Sequence, residues 1–531
     1  MTNRLVAVVA DGTASEIPLE IERVVDPEQI SARFATYLQD ESKSVAPGVK
    51  SISFPKNTEE VSHVLRHHSQ LNEPTTISGA RTGIVGGAVP DIQSHLVSLE
   101  KIKFISPVYK NEQGETQINV GAGVTLHDLN EHLAENERGL FFPVDPTETW
   151  ASIGGMVSTN ASGARSYFYG STGRWVNGLT VVLANGSVLR IKRGEVQTVG
   201  NRLILECANK NTLSTDSREL SAASLAKPLT KHTVGYTYGA NCDAVDIFVG
   251  AEGTLGAVTE IELKLAEIPQ IVLSYLQLFR DESCALAFVR ALRETKELKT
   301  LAIEYCDKRA ISLANESPIK STSPVLRLVK EDTAAAVYCE VELADENDLE
   351  VAFDKISTIV GDVGADFADS FAGTEDRELR ELKAFRHAVP ERINNLIAQR
   401  KVEHPSLHKV ATDMAVPDQF LEEMYQLYRK ALDGRGLDYA IFGHAGNNHF
   451  HVNMLPRNAA ELAEGKSVYM EFAREAVARG GAVSAEHGLG KIKKEMLKVQ
   501  YSAKDIATMW EIKRFFDPHL LLNQGVLLPQ L

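Results

Sequence analysis

Ala151-Ser-Ile-Gly-Gly-Met-Val-Ser-Thr-Asn-Ala-Ser-Gly-Ala164 is the stretch on which the reading of this 531-residue chain turns. It consists mostly of glycine, alanine and hydroxyl residues. That composition is too poor in bulk for a core helix to be expected and well suited to lie against a flat, polar cofactor. Pro143-Val-Asp-Pro-Thr147 leads into it, and Tyr169-Gly170 and Arg174 follow. Upstream, Ile77-Ser-Gly-Ala-Arg-Thr-Gly-Ile-Val-Gly-Gly-Ala-Val-Pro90 follows a predicted strand over 75–78, so consecutive backbone N–H groups can converge on an anion. Alone, that loop reads equally well as a tight glycine turn. It fits neither Gly-x-Gly-x-x-Gly nor the Walker pattern, which disfavours a Rossmann or nucleotide-triphosphatase reading. Downstream, Gly250-Ala-Glu-Gly-Thr-Leu-Gly-Ala-Val-Thr259 is a third element of the same kind, entering a strand over 261–265.

Around these loops the periodicities are mixed. A hairpin is predicted over 179–191 about Asn185-Gly186, and a helix over 61–68. The Asn-, Ser-, Thr- and Lys-rich stretch 208–231 reads as a surface excursion with some helix. Beyond Pro269 the texture changes. Helices over 282–298, 344–361 and 377–400, the last broken at Pro390, alternate with strands over 301–305 and 336–342. That alternation predicts a second α+β domain on an antiparallel sheet. The chain closes on helices with a stop at Phe515-Phe516-Asp517-Pro518.

The length alone calls for at least two packed domains. With 71 acidic and 56 basic side chains the net charge is −15, which argues for solubility and against a nucleic-acid or anionic-bilayer partner. Five scattered cysteines without a Cys-x-x-Cys pair argue against a disulfide framework or an iron-sulfur cluster and for a reducing compartment. The apolar run over 1–10 is too short to span a bilayer. A cytoplasmic protein is expected, with any link to a membrane electron carrier peripheral, at the inner face.

Two further motifs carry chemistry. Phe442-Gly-His-Ala-Gly-Asn-Asn-His-Phe-His-Val-Asn453 places three histidines in a glycine-broken segment, and Ser484-Ala-Glu-His-Gly-Leu-Gly490 adds a Glu-His pair before a lysine-rich stretch read as a helix. A lone histidine is more often a satisfied hydrogen-bonding group. Three beside Glu486 suit zinc, manganese or ferrous iron.

Together, the glycine elements, the Gly-Ala-Glu-Gly-Thr-Leu-Gly run and the histidine motifs resemble the vanillyl-alcohol-oxidase, or PCMH-type, FAD-dependent oxidoreductases. Within them the chain is most similar, over about 51–523, to the D-lactate, glycolate and D-2-hydroxyglutarate dehydrogenase group. The resemblance implies an α+β fold in which a two-subdomain FAD-binding domain is covered by an α+β cap. The expected boundaries are an N-terminal extension at 1–45, the FAD domain at 46–268, a cap carrying the histidine motif at 269–480, and a segment at 481–531 returning to the flavin.

The resemblance also assigns residues. Ser78, Gly79, Ala80, Arg81, Thr82 and Gly83 would hold the pyrophosphate; Pro146, Thr147, Gly155, Ser158, Thr159, Asn160 and Gly163 would line the flavin, with Val258 and Asn523 completing the site. Relatives usually carry three glycines where this chain has Gly79, Ala80 and Arg81, and Arg81 is expected to compensate with charge. No histidine lies between Ser78 and Pro90, which implies dissociable FAD. His444, His451 and Glu486 become metal ligands, His487 the catalytic base, and Arg386 with Lys409 the anchor for a substrate carboxylate. Where relatives carry Asp-Gly-Asn this chain has Asn447, Asn448 and His449. His449 and His451 share a face of a strand, so a ligand pair made of those two is the rival assignment.

The implied reaction is oxidation of a D-2-hydroxy acid, D-lactate foremost, with a quinone, a cytochrome or an electron-transferring flavoprotein as acceptor. A homodimer is compatible with it. The alternatives are glycolate or D-2-hydroxyglutarate as substrate, an alkyl-transferring flavoprotein of the same superfamily, and a flavin-binding subunit of a larger complex.

Overall fold

Asn185-Gly186 turns the chain as its sequence demands: Gly186 sits at φ 82°, and Val176–Val182 pairs antiparallel with Val188–Lys192 from Val182↔Val188 outward. The computed structural model describes residues 4–9, 20–91, 93–209, 215–316, 325 and 329–530. Among them this hairpin lies inside an eight-stranded sheet, in the order 215–221, 202–209, 4–9, 188–192, 176–182, 257–264, 116–121 and 109–110. A four-stranded sheet, ordered 22–24, 51–54, 95–98 and 75–78, carries the first glycine loop at the end of its last strand. The expected extension at 1–45 is thus built into both sheets, through Arg4–Val9 and Glu22–Val24. Thr58–Gln70 is the predicted helix, capped by Asn57 Oδ1 accepting Glu60 N at 2.9 Å, and its Ser62 Oγ donates to Gly186 O across the large sheet.

Two expectations for this half fail. Among its described residues the stretch 208–231 contributes strand and no helix: Thr215–Ser221 pairs along Arg202–Asn209, because an edge strand tolerates polar residues on its solvated side. The stretch Ala151 to Ala164 does form a helix, Ile153–Thr159, begun by Ser152 Oγ accepting Gly155 N and ended by Asn160 at φ 49°. Ile153, Met156 and Val157 share one buried side, at the spacing that keeps side chains on one helix face. Gly154 lets that side close, since a Cβ there would lie 2.7 Å from Ala122 Cβ. The small residues sit on the other side.

The second half is the expected antiparallel sheet, ordered 370–373, 271–279, 335–343, 299–307, 439–444, 449–454 and 410–411, with 414–415 also pairing on 449–454. Helices Glu282–Glu294 and Asn347–Asp362 pack on it, the first ending before its expected limit at 298. No break occurs at Pro390. The helix Asp376–Glu403 runs through it, held by Leu382, Phe385, Val389 and Ile393 in a core against the sheet, which outweighs one lost helix hydrogen bond. Arg165 Nε donates to Glu340 Oε2 at 2.6 Å and clamps this sheet to the first half. Ala503–Phe516 is the closing helix. The chain then returns to the four-stranded sheet, with Thr75 N donating to Leu521 O at 2.8 Å and Asn523 N to Thr75 O at 2.9 Å. Among the described residues no helix is long and apolar enough to cross a membrane.

Candidate active site

The three glycine elements enclose a cavity of about 380 Å³. Of the positions expected at the flavin, its wall takes 79–83, Pro146, Thr147, Gly155, Ser158, Thr159, Gly163, Val258 and Asn523. Ser78 and Asn160 stand behind the wall: Ser78 is buried with its hydroxyl on Gly79 O, and Asn160 Oδ1 accepts Gly173 N at 2.9 Å. The glycines are required by contact. A Cβ at Gly79 would lie 2.5 Å from Ser152 Oγ, and one at Gly163 only 1.9 Å from Asp145 O. Arg81 adopts φ 63°, a conformation suited to glycine. Its guanidinium is turned onto Gly79 O at 3.0 Å, the Tyr37 ring at 4.1 Å and Glu100 at 3.4 Å. Its charge is therefore engaged within the protein, and the expected compensation toward phosphate is not what this conformer offers.

Glu252 and Asn523 tie the elements together. Asn523 Oδ1 accepts Ile77 N at 2.7 Å while its Nδ2 donates to Glu252 O at 2.9 Å. The Glu252 carboxylate accepts Leu489 N and Gly490 N, both at 2.8 Å, and burial raises it to about 7 despite those two donors. The segment behind it is a series of turns, a 3-10 turn at Lys494–Met496 and a four-residue helix, not the lysine-rich helix expected.

Glu486 and His487 close one end of the cavity, and behind them lies the histidine cluster. His444 ends the strand Tyr439–His444, and His449 and His451 begin the strand His449–Met454, which pairs His444 with His449. The loop between depends on Asn448 at φ 50°, a left-handed conformation that asparagine tolerates. Arg293 donates to Ala445 O at 2.6 Å, Gly446 O at 3.0 Å and Asn448 Oδ1, while Asn447 Oδ1 accepts Ser166 Oγ at 3.2 Å. His444 Nε2 lies 3.1 Å from Glu486 Oε1, and His451 Nε2 and His449 Nδ1 lie 3.8 and 3.9 Å from Glu486 Oε2. One donor atom from each of His444, His449, His451 and Glu486 falls within 4.8 Å of the other three.

The electrostatics of the cluster suit a cation. Burial would lower His444, but Glu304 and Glu486 outweigh it and raise it to about 9. Burial lowers His449, and burial with the neighbouring imidazoles holds His451 well below the usual range, leaving both neutral. Burial opposes ionisation of Glu486, yet His444 and Lys231 hold it far below the ordinary carboxylate range. Lys231 Nζ touches Glu486 Oε1, and Ser162 Oγ stands 3.4 Å from the same oxygen. His444 Nδ1 meets Glu304 Oε1 at 2.6 Å, the outer carboxylate that commonly fixes a ligating imidazole. Both ring nitrogens of His449 are buried; Nε2 has Asp413 Oδ1 3.1 Å away, while Nδ1 has no hydrogen-bond partner. Imidazoles, a carboxylate and an orphaned buried nitrogen fit a divalent metal.

Sequence reasoning missed Asp413. It is buried at 1% exposure, accepts Ser484 Oγ at 2.6 Å and the N–H groups of Glu486 and His487 at 3.2 and 3.1 Å, and sits 3.1 Å from both His487 Nδ1 and His449 Nε2. Burial would raise it, but His487 and Lys493 hold it well below the usual range. It lies between the two short strands Val410–Ala411 and Met414–Ala415. A lone aspartate outside any motif carries no spacing signal. Lys409 Nζ donates to Asn394 Oδ1 at 3.0 Å, on the helix that bears Arg386, and burial lowers it. The Arg386 side chain lies outside the described residues.

Comparison with known proteins agrees with this geometry. Residues 49–192 match the FAD binding domain, and residues 268–527 match the C-terminal domain of FAD linked oxidases. The chain belongs to the FAD linked oxidases. The FAD-domain match contains the first two glycine elements, and the C-terminal match contains all four cluster residues, Asp413 and His487. Among relatives of these FAD linked oxidases, a D-2-hydroxyglutarate dehydrogenase of Xanthomonas citri pv. viticola is 29% identical, covering 92% of this chain and 92% of its own. A D-lactate dehydrogenase of Anaerostipes hadrus is 27% identical over 88% and 87%. A solved structure of alkyldihydroxyacetonephosphate synthase superposes with a TM-score of 0.60 at 16% identity, covering 90% of this chain and 76% of that one, which supports the fold.

Proposed function

We propose that the chain oxidises a D-2-hydroxy acid, with D-lactate first among the substrates, and passes the electrons to an acceptor other than NAD. The observation that carries this reading is His487, placed at the end of the flavin cavity, against the histidine cluster, with Asp413 3.1 Å from its Nδ1. When bound, FAD supplies the hydride acceptor at N5, and a divalent ion polarises the substrate hydroxyl. The protein's part is to orient and to move a proton. Asp413 fixes the His487 tautomer, leaving Nε2 free to take the hydroxyl proton and stabilising the imidazolium that results. His444, His451 and Glu486 hold the ion. The expected positions that line the cavity hold FAD, with Ser78 and Asn160 behind them, and Lys409 with Arg386 anchor the substrate carboxylate. FAD is dissociable: among the described residues lining the cavity the only histidine is His487, and there is no cysteine or tyrosine. The working division keeps 46–268 for FAD, 269–480 for substrate and 481–531 returning to the flavin. Five scattered cysteines without a Cys-x-x-Cys pair support a reducing compartment such as the cytoplasm.

The test is anaerobic bleaching of the bound flavin by D-lactate, D-2-hydroxyglutarate, the L enantiomer of each, and achiral glycolate, with and without chelator. Bleaching by a D-2-hydroxy acid, lost on chelation, is expected. If none bleaches the flavin the reading is wrong, and alkyl transfer without net oxidation takes its place.

A further inference from the structure

His449 is the residue of the cluster that this reading leaves without a task, and its surroundings are those of a ligand. We propose that His449 is a fourth protein donor, so that the working ion is one that accepts six ligands, such as manganous or ferrous iron's class of ion, rather than four-coordinate zinc. The proposal rests on the metal reading above. Donors bound to one divalent ion with bonds of about 2.1 Å lie roughly 3.0–3.4 Å apart. The distances from Glu486 oxygens to His444, His451 and His449 are 3.1, 3.8 and 3.9 Å, so a small contraction brings all four onto one ion.

The two nitrogens of His449 divide the work. Nδ1 faces Glu486, and Nε2 faces Asp413 Oδ1 at 3.1 Å, which gives His449 the same outer carboxylate that Glu304 gives His444. The ring is fully buried, and its Nδ1, 3.9 Å from Glu486 Oε2, has no hydrogen-bond partner and is left to ligate. Asp413 thereby faces a metal ligand and the base His487 at equal distances, 3.1 Å each.

The donor count then selects the ion. A hydroxy acid binds through its hydroxyl and one carboxylate oxygen, two further ligands. Three imidazoles and a carboxylate already satisfy tetrahedral zinc, the pattern of closed structural zinc sites. The same four donors leave two positions on a six-coordinate ion.

The experiment uses the FAD-loaded full chain, stripped by chelator and reloaded with Mn²⁺ or Zn²⁺, with oxalate as a redox-inert two-oxygen probe. Metal affinity is read by chelator competition and oxalate binding by calorimetry. The Mn²⁺ form should bind oxalate at least about tenfold more tightly than the Zn²⁺ form, and His449→Asn should weaken Mn²⁺ by about tenfold or more. The Zn²⁺-loaded variant should gain oxalate binding. His449→Gln is the second variant, and flavin content and melting temperature confirm that each is folded. Equal oxalate binding by both forms of the unmodified protein overturns the proposal without recourse to any variant. Unchanged Mn²⁺ affinity in the folded variants overturns it too. If the unmodified protein takes up neither ion, the metal reading itself falls and this inference with it.

Discussion

Asp413→Asn keeps the shape of the side chain and removes its charge, and its consequence can be worked from distances. The carboxylate stands 3.1 Å from His487 Nδ1, where two unit charges at an effective dielectric of about 20 interact by about 5 kcal/mol. That is a ceiling for what Asp413 contributes once His487 has taken a proton. His487 is 31% exposed, so water screens part of it, and about 2–3 kcal/mol remains, or about 100-fold in rate. An asparagine must also turn its NH₂ either to the Oδ1 side, against the N–H of residue 486, or to the Oδ2 side, against the N–H of residue 487 and the His487 imidazole, where it unsettles the tautomer. Anaerobic stopped-flow reduction of the flavin by whichever D-2-hydroxy acid reduces the unmodified enzyme is the assay. The rate should fall by about 100-fold on the FAD-loaded fraction. A rate within threefold of the unmodified enzyme would show that Asp413 does not serve the base.

Three other outcomes are expected. Glu252, at about 7 in the folded protein against an ordinary 4.5, holds a proton that the unfolded chain has lost, so it makes stability fall as pH rises from about 4.5 to about 7 and then level off. Glu252→Gln should therefore gain about 3 kcal/mol on the unmodified protein across that window, measured by denaturant titration at stepped pH; a pH-independent difference contradicts the burial argument. Lys513 Nζ is buried on Thr254 O, Asp517 Oδ2 and Leu522 O, so Lys513→Met strands a buried carboxylate and should cost about 3–5 kcal/mol and loosen FAD, a loss under 1 kcal/mol being contrary. Gly163→Ala drives a Cβ into Asp145 O and should lower the flavin-to-protein absorbance ratio of the purified protein, whereas full flavin content would show that the 143–147 segment yields.

Where a single local rule dominates, the sequence was readable. Asn185-Gly186 had one comfortable conformation, and the helix at 58–70 had its cap and its apolar stripe. The helix Ile153–Thr159 was hidden because its apolar side needs only three residues, the rest being small to admit a cofactor and Ala122. At Pro390 the local cost of a lost hydrogen bond points to a break, while the core that offsets it lies on another element. The same holds at the site. His444, His451, Glu486 and His487 stood in motifs, but Asp413, Glu304 and Lys231 reach them from separate parts of the chain, and tertiary partners of that kind leave no pattern along it.

Asn523 fastens residue 77 to residue 252 and lines the cofactor cavity. During synthesis, then, the first glycine loop, at 79–83, is made roughly 20–90 s before the asparagine that ties residue 77 to residue 252, taking 5–20 residues per second. Until then nothing made by the ribosome fastens the first glycine loop to the third, so the closed cavity belongs to the finished polypeptide. A shortage of the cofactor would strand full-length protein rather than stall its making.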